Sequence, residues 1–534
     1  MSELVLPQGV KYIDGHRFRA AFIAGAQAII NDRAYLNKIN VFPVPDADTG
    51  TNLASTVQAV AAELPTDASL GKVVTDAADA ALMGSRGNSG IIFAQFLYGL
   101  SKSLKGEKLA TPAKFVEAAR VSVEHVYDSL LNPVEGTILT VMRSWSVALE
   151  KFSATSDDFQ VILHKSFEVA EKALRDTPKQ LEVLAKAGVV DSGAKGFVDL
   201  LQGISEFMRA GNLRDIPVFE KPEESVEIHQ FSGDDDIPYR YCTEALISDA
   251  QIDFVEVKRK AESFGDSVVV AGSPQRLRLH VHTNDPAELF DWLREKGELA
   301  SMKAEDMIRQ FEVSNKRKYP IALVTDSACD LPQEIIEKYQ INVIPFTVNF
   351  GENSYLDKVT ITPDKFYSLL DAAPVHPSTA QPSPAMVSNL LSFLKTHYDS
   401  VVSVHISSQL SGIHNLAVQA VENHEDDDIH VVDSKQLSVS QGLIVYRLAQ
   451  AIEAGKNIVE LTDLAKNYVE KTKVFVDVAT LKYMVRGGRV SPLKGLVAKL
   501  LNLKPIISLD EEGKGIAFGK SFSRKGNMDK IKKL

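Results

Sequence analysis

The stretch NKINVFPVPDADTGTNLASTVQ, residues 37–58, places two carboxylates two positions apart, Asp46 and Asp48. Pro43 and Pro45 stiffen the approach, because each ring fixes φ and removes a backbone donor. Two acids on one tight turn converge on a hard cation, and Mg²⁺ takes oxygen ligands while keeping positions for water and phosphate. Thr49, Gly50, Thr51 and Asn52 follow where an amphipathic helix begins. The unpaired N–H groups of a helix start suit phosphate oxygens. An acidic turn that merely caps a helix explains a bare D-x-D-T-G equally well. The paired prolines and Asn52 favour a metal–nucleotide site.

Two further loops have the same character. MGSRGNSGIIFAQFL, residues 83–97, spaces Gly84, Gly87 and Gly90 among Ser85, Asn88 and Ser89 before an apolar helix. Small residues let a backbone approach phosphate. The loop lacks the G-K-[ST] ending of a Walker A motif. DSGAKGFVDLLQG, residues 191–203, sets Asp191, Ser192 and Gly193 before another helix. Three helix mouths in one helical region point to a nucleotide site at the end of a bundle.

Cys242 stands in YRYCTEALI, and His280 and His282 in RLRLHVHTNDP. Strand periodicity puts both imidazoles on one face, about 6.6 Å apart along the strand, close enough to bracket one ion. A thiolate and two imidazoles would give Zn²⁺ three ligands and an open fourth position. A satisfied His pair with an inert buried Cys fits the same spacing. Further on, VTDSACDLP, HPSTAQPSP and HISSQLSGIHNLA place hydroxyls at strand-to-helix turns, and RGGRVSP supplies Arg486 and Arg489. A loop with Ser407, Ser408, Ser411 and Gly412 suits a carboxylate, and arginine pairs with anions. Each alone also reads as a helix cap or a solvent-facing Arg.

The elements that must hold these groups fall into blocks. Residues 1–205 are helical by periodicity, as in Phe18, Phe22, Ala26 and Ile29. Residues 206–240, with Pro, Gly and three successive Asp, read as a linker. DSVVVAG and RLRLHVHTNDP are strands of a small α/β domain ending near residue 312. From IALVTDS onward, strands INVIPFTVNF, SVVSVHIS, DIHVVDS and KVFVDVA alternate with helices, the pattern of a mostly parallel sheet. The last stretch reads as a hairpin followed by a helix start, so the final domain is expected to be incomplete at its C-terminal end.

The 534 residues suggest three or four domains at about 150 each. Hydrophobic residues at 45% and charged residues at 24% exclude general disorder. Seventy acidic against 59 basic residues, a net charge of −11, argue against nucleic acid as a partner. Two cysteines, with no membrane-length apolar run, fit a cytoplasmic protein without a transmembrane segment.

N-V-F-P-V-P-D-A-D-T-G-T-N, G-S-R-G-N-S-G and D-S-G-A-K-G resemble the ADP-binding module of dihydroxyacetone kinases, and the first motif is similar to that of bacterial fatty acid kinases. The resemblance covers residues 8–205. It implies an all-α eight-helix barrel binding ATP or ADP and paired Mg²⁺, with Asp46 and Asp48 as catalytic metal ligands. It implies phosphate contacts from Thr49, Gly50, Thr51, Asn52, Gly84, Ser85, Asn88, Asp191 and Ser192. Asn40 stands near the place of a further upstream Asp, which implies it as a third Mg²⁺ ligand, and Ala47 stands where the family commonly has Gly. The C-T-E segment and H-x-H strand resemble the fatty acid kinase middle domain, here 241–313, which implies Zn²⁺ at Cys242, His280 and His282. Residues 319–534 resemble the DegV-type fatty-acid-binding family, an α/β fold. That implies a fatty acid carboxylate held by Thr379 and Ser411, with Arg489 near the head group. Ala380 and Ile413 depart from the family's Ser and Thr, and the family continues beyond this length.

Taken together, the resemblances imply a multidomain fusion that phosphorylates a carrier-held fatty acid to acyl phosphate. Separate DegV-type carriers, acyl-phosphate-using acyltransferases and a second copy of the chain are the implied partners. The alternatives are a glycerone kinase component, which would need a separate ketone-binding protein, and a non-catalytic lipid-binding sensor.

Overall fold

The computed structural model describes residues 9–42, 47–66, 68–130, 132–210, 237–248, 253–273, 275–422, 428–478, 504–521 and 523–533, with 483, 486 and 487. The chain forms two compact units, 1–311 and 312–534. No helix among the described residues is long and apolar enough to cross a membrane.

The first unit begins with eight long helices: α1 (Gly15–Lys38), α2 (Thr49–Glu63), α3 (Leu70–Gly84), α4 (Gly87–Leu104), α5 (Pro112–Ser129), α6 (Ile138–Ser153), α7 (Phe159–Arg175) and, after the six-residue α8 (Glu182–Ala187), α9 (Ser192–Ala210). This is the helical N-terminal fold expected from the periodicity. Asp14, Thr111, Thr137 and Asp158 cap their helices by accepting first-turn N–H groups. Phe96, Trp145 and Phe197 meet edge to face in the core, with centroids 5.6–6.1 Å apart. Burying a ring such as Phe197 stabilises the fold by roughly 1.5–3 kcal/mol. A small pair not foreseen, β1 (Ile13–Asp14) with β2 (Leu109–Ala110), joins two loops.

An antiparallel sheet of order β4-β5-β3-β6 follows: β3 (Tyr241–Ser248), β4 (Gly265–Ser273), β5 (Arg276–Thr283) and β6 (Glu298–Asp306). Its strands alternate as a pleat requires. Ala245, Ile247, Leu279 and Val281 share a core with Leu289 and Phe290 of α11 (Pro286–Arg294) and Val257 of α10 (Phe254–Glu262). Leu246, Val269 and Ala271 point the other way, into the core of the helical region. The sheet is covered on both faces, and the face carrying the histidines is the one that meets the helices. α12 (Met307–Asn315) ends this part of the chain.

In the second unit, β7 (Ile321–Asp326), β8 (Asn342–Ile344), β12 (Ser400–His405) and β13 (Ile429–Asp433) form a parallel sheet of order β13-β12-β7-β8. INVIPFTVNF is two strands rather than one. β8 ends before Pro345, which has no N–H to give the ladder, and β9 (Thr347–Phe350) pairs instead with β10 (Asn353–Leu356) and β11 (Ser378–Ala380). KVFVDVA also leaves the parallel sheet: β14 (Val476–Asp477) pairs antiparallel with β15 (Lys504–Leu509), which forms the expected hairpin with β16 (Gly515–Ser521). A helix, Arg524–Ile531, follows the hairpin.

Candidate functional site

The N-termini of α2, α4 and α9 surround a cavity of about 490 Å³, lined by Thr49, Asn88, Ser89, Asp191 and Gly193 on the polar side. Ile138 and Val268 are among its apolar walls. That volume lies within the roughly 300–1,000 Å³ usual for small-molecule sites. Asn88 Oδ1 is buried without a hydrogen-bond partner. Three helix starts turn partial positive charge toward this space, which the carboxyl groups of Asp191, Glu262 and Asp266 also line.

The sequence-selected residues divide into those that face the cavity and those the protein uses itself. Asp46 lies outside the described residues. Asp48 takes the N-cap position of α2 without capping it. Burial dominates the shifts at Cys242 and His282, and the Asp48 charge acts on both as a minor contribution, so the acidic loop and the Cys/His group share one electrostatic neighbourhood. Ala47, just before it, has a φ of 53°. Asn40 is buried immediately after α1, its N–H donating to Asn37 O at 3.2 Å.

Thr51 is turned to α1: its N–H donates to Asn37 Oδ1 at 3.0 Å, and its hydroxyl accepts from Asn37 Nδ2 at 2.9 Å. Gly50 and Gly84 serve helix approach, since added Cβ atoms would meet Arg33 O and the Ala59 Cβ at 2.2 Å. Ser85 donates to Leu82 O at 3.2 Å and Ser192 to Leu36 O at 2.6 Å. Asn52 is buried against Gly87. Thr49, Asn88 and Asp191 are thus the selected residues that line the cavity; Ser89 and Gly193 join them from the same motifs.

Asp191 caps α9, accepting from Ala194 N–H at 2.8 Å. Burial pushes its carboxyl up to about 6, and the backbone bonds at Ala194 and Ile138 only partly offset that. A cation or donor arriving in the cavity would relieve this penalty.

Strand register builds the second cluster. Cys242 stands opposite His282, and Glu244 opposite His280, across the β3–β5 pair. Cys242, His280 and His282 offer ligand atoms all within 4.8 Å of one another. His280 Nε2 is buried with no hydrogen-bond partner. Burial lowers the His282 pKa, which favours the neutral, ligating imidazole. Burial, helped by Glu244, holds the Cys242 thiol well above its ordinary range, so a cation would have to displace its proton. The donor set and spacing fit Zn²⁺ with one position left open.

Glu244 and Arg278 lie outside the sequence-selected set. Glu244 Oε1 accepts from Gly87 N–H at 2.6 Å, and Oε2 accepts from Arg278 Nη2 at 2.8 Å. Arg278 Nη1 also reaches Met83 O at 3.4 Å. The pair therefore straddles the α3–α4 turn, with a cation at the end of α3 and an anion at the start of α4, the signs each helix terminus favours. Burial opposes the charge on Glu244, yet the nearby His280 and the positive charges of Lys303 and Arg278 hold it well below the usual carboxylate range. Lys258 repeats the pattern by donating to Asp128 O and Leu130 O at the end of α5. Only the alternation of Arg278 and His280 on one strand face hinted at this from sequence.

In the second unit, Thr379 and Ser411 line one cavity of about 1,000 Å³ whose apolar walls include Phe346, Val348, Ile361 and Phe366. Arg489 lies outside the described residues. Asp326 is fully buried and accepts from Ile406 N–H at 2.9 Å and from His405 Nδ1 at 3.1 Å, joining β7 to the loop that leads to Ser411.

Three family models match in chain order: the DAK2 domain at 43–206, the FakA-like fatty acid kinase middle domain at 238–314, and the DegV family at 320–534. An uncharacterized protein of Staphylococcus epidermidis is 33% identical over 311 residues, 56% of each chain. Another, of Staphylococcus saprophyticus, is 34% identical over 320 residues, 58% of each. The match thus spans less than three fifths of the length of these curated relatives. Among solved structures, a fatty-acid-binding DegV family protein of Thermus thermophilus is 31% identical over 40% of this chain and 76% of its own, with a TM-score of 0.38. DegV of Bacillus subtilis, a fatty acid binding protein, is 29% identical over 41% of this chain and 77% of its own, also with a TM-score of 0.38.

Proposed function

From a chain that joins a DAK2 domain, a FakA-like fatty acid kinase middle domain and a DegV domain, we propose an ATP-dependent kinase that phosphorylates the carboxyl group of a fatty acid. The observation that carries this reading is the convergence of three helix mouths on one cavity beside Asp48.

Asp46 and Asp48 would hold Mg²⁺, which neutralises charge on a phosphoryl group in transfer. Thr49, Ser89 and the α2, α4 and α9 starts would bind and orient the phosphates, while Ile138 and Val268 exclude water from one wall. The acyl carboxylate is ionised near neutral pH and needs no strong general base. Its oxygen attacks the γ-phosphorus, the bond to the bridging oxygen of ADP breaks, and acyl phosphate and ADP leave. The DegV cavity, with Thr379 and Ser411 among its lining, is the proposed fatty acid site. Holding carrier and kinase on one chain raises the effective concentration of one for the other. Cys242, His280 and His282 would hold Zn²⁺.

The test is trapping of acyl phosphate as hydroxamate after incubation of the chain with Mg-ATP and a fatty acid. Hydroxamate that needs both substrates supports the reading. ADP formation without hydroxamate, or activity on dihydroxyacetone alone, defeats it.

A further inference from the structure

Gly87 is the first residue of α4, and the next two, Asn88 and Ser89, line the nucleotide cavity. The position of Gly87 therefore sets the position of two cavity groups. Gly87 is not held by its own helix. Arg86, at the N-cap, makes no side-chain capping bond, and the Gly87 N–H goes to Glu244 Oε1 at 2.6 Å. A carboxylate from the sheet is thus the cap of α4.

The same oxygen faces His280. Glu244 Oε1 lies 3.6 Å from His280 Nδ1, and both side chains are almost wholly buried. His280 Nε2, the other ring nitrogen, has no hydrogen-bond partner. Cys242 Sγ also lies 3.9 Å from His280 Nδ1, so a path from the cation to Glu244 needs the cation to engage His280 through Nε2, which would leave Nδ1–H to donate to Glu244. A ligating His commonly gives its second nitrogen to a carboxylate, which fixes the ring and raises its basicity. A continuous polar path then runs from the cation through His280 and Glu244 to Gly87 and the mouth of α4. Arg278 closes it from behind by holding Oε2 at 2.8 Å and Met83 O at 3.4 Å, so Glu244 cannot swing away without stranding a buried cation.

We propose that Glu244, braced by Arg278, is a positioning residue that couples cation occupancy at Cys242, His280 and His282 to nucleotide binding at the α4 mouth. This rests on the kinase reading above and adds to it a regulatory input: cation loading tightens the nucleotide site, and nucleotide tightens the cation site by the same factor, because such coupling is reciprocal.

The experiment is calorimetric titration of Mg-ATP into the chain, once stripped by a chelator that is then removed and once loaded with Zn²⁺ alone. Nucleotide affinity is expected to rise by a factor of about 5 or more on loading. Glu244→Gln, which keeps the shape and loses the charge, is expected to take up Zn²⁺ and lose most of that difference. Equal affinities in the two wild-type states, no uptake of Zn²⁺, or a full difference retained in Glu244→Gln would overturn the proposal. The wild-type arms can refute the coupling even if the variant does not fold. Absence of nucleotide binding in every state defeats the kinase reading itself, a result distinct from binding that ignores the cation.

Discussion

A Cβ added to Gly87 would lie 2.2 Å from Asn52 Nδ2, so the second glycine loop and the start of α2 are packed against each other to the limit of contact. Gly87 also has a φ of +57°, which L side chains rarely adopt. Gly87→Ala therefore meets strain and collision together. It is expected to lower stability by about 1–3 kcal/mol and to weaken Mg-ATP binding more than tenfold, read by urea unfolding and calorimetry. Unchanged nucleotide affinity would separate this loop from the site.

Asp191 gives the account a pH dependence. Its folded pKa of about 6 is raised above the ordinary 3.8, so the folded state holds the proton more tightly. The contribution to stability is complete below the unfolded value and is lost as pH rises through about 6. Above that it amounts to a penalty of roughly 3 kcal/mol, at 1.36 kcal/mol per unit. Asp191→Asn, which can still cap α9, is expected to gain on wild type as pH rises from about 4 to about 8. Urea unfolding at both ends checks this, and a difference independent of pH contradicts it.

The Cys/His cluster predicts one zinc per chain by elemental analysis after expression in zinc-supplemented medium. Cys242→Ser and His282→Ala each remove a donor and are expected to lower metal affinity by at least about tenfold. Zinc content unchanged in both variants would mean that the ion binds elsewhere.

Thr379 and Ser411 lie on one cavity with apolar walls, and hydroxyls that meet a carboxylate are worth about 1.5–3 kcal/mol each. The combined change Thr379→Val with Ser411→Ala is expected to weaken binding of a long-chain fatty acid by a factor of about 100 or more. Displacement of a fluorescent fatty acid is the readout, and unaltered binding would remove both residues from the head-group site.

Sequence legibility followed the range of the interaction. The helical region was readable because Phe22, Ala26 and Ile29 repeat on one buried face. The shared face of His280 and His282 followed from strand period, whereas Cys242 was joined to them by the resemblance of the C-T-E and H-x-H segments, and only the β3–β5 register sets it opposite His282. Glu244 and Arg278 were not readable as a clamp, because their partners, Gly87 and Met83, are more than 150 residues away and are reached only through packing of the sheet on the helices. At Gly50 and Gly84 the sequence does not separate helix approach from ligand approach, because a glycine serves either. The split of INVIPFTVNF at Pro345 was signalled by the proline itself.

On the proposed reading, the acidic loop grips a divalent ion that in turn grips nucleotide at the mouths of α2, α4 and α9. Titration of ATP into the whole chain, with and without Mg²⁺, tests it most directly. The account predicts saturable heat that requires Mg²⁺ and disappears in Asp46→Asn with Asp48→Asn. No heat in the wild type, or equal binding with both acids replaced, would contradict it.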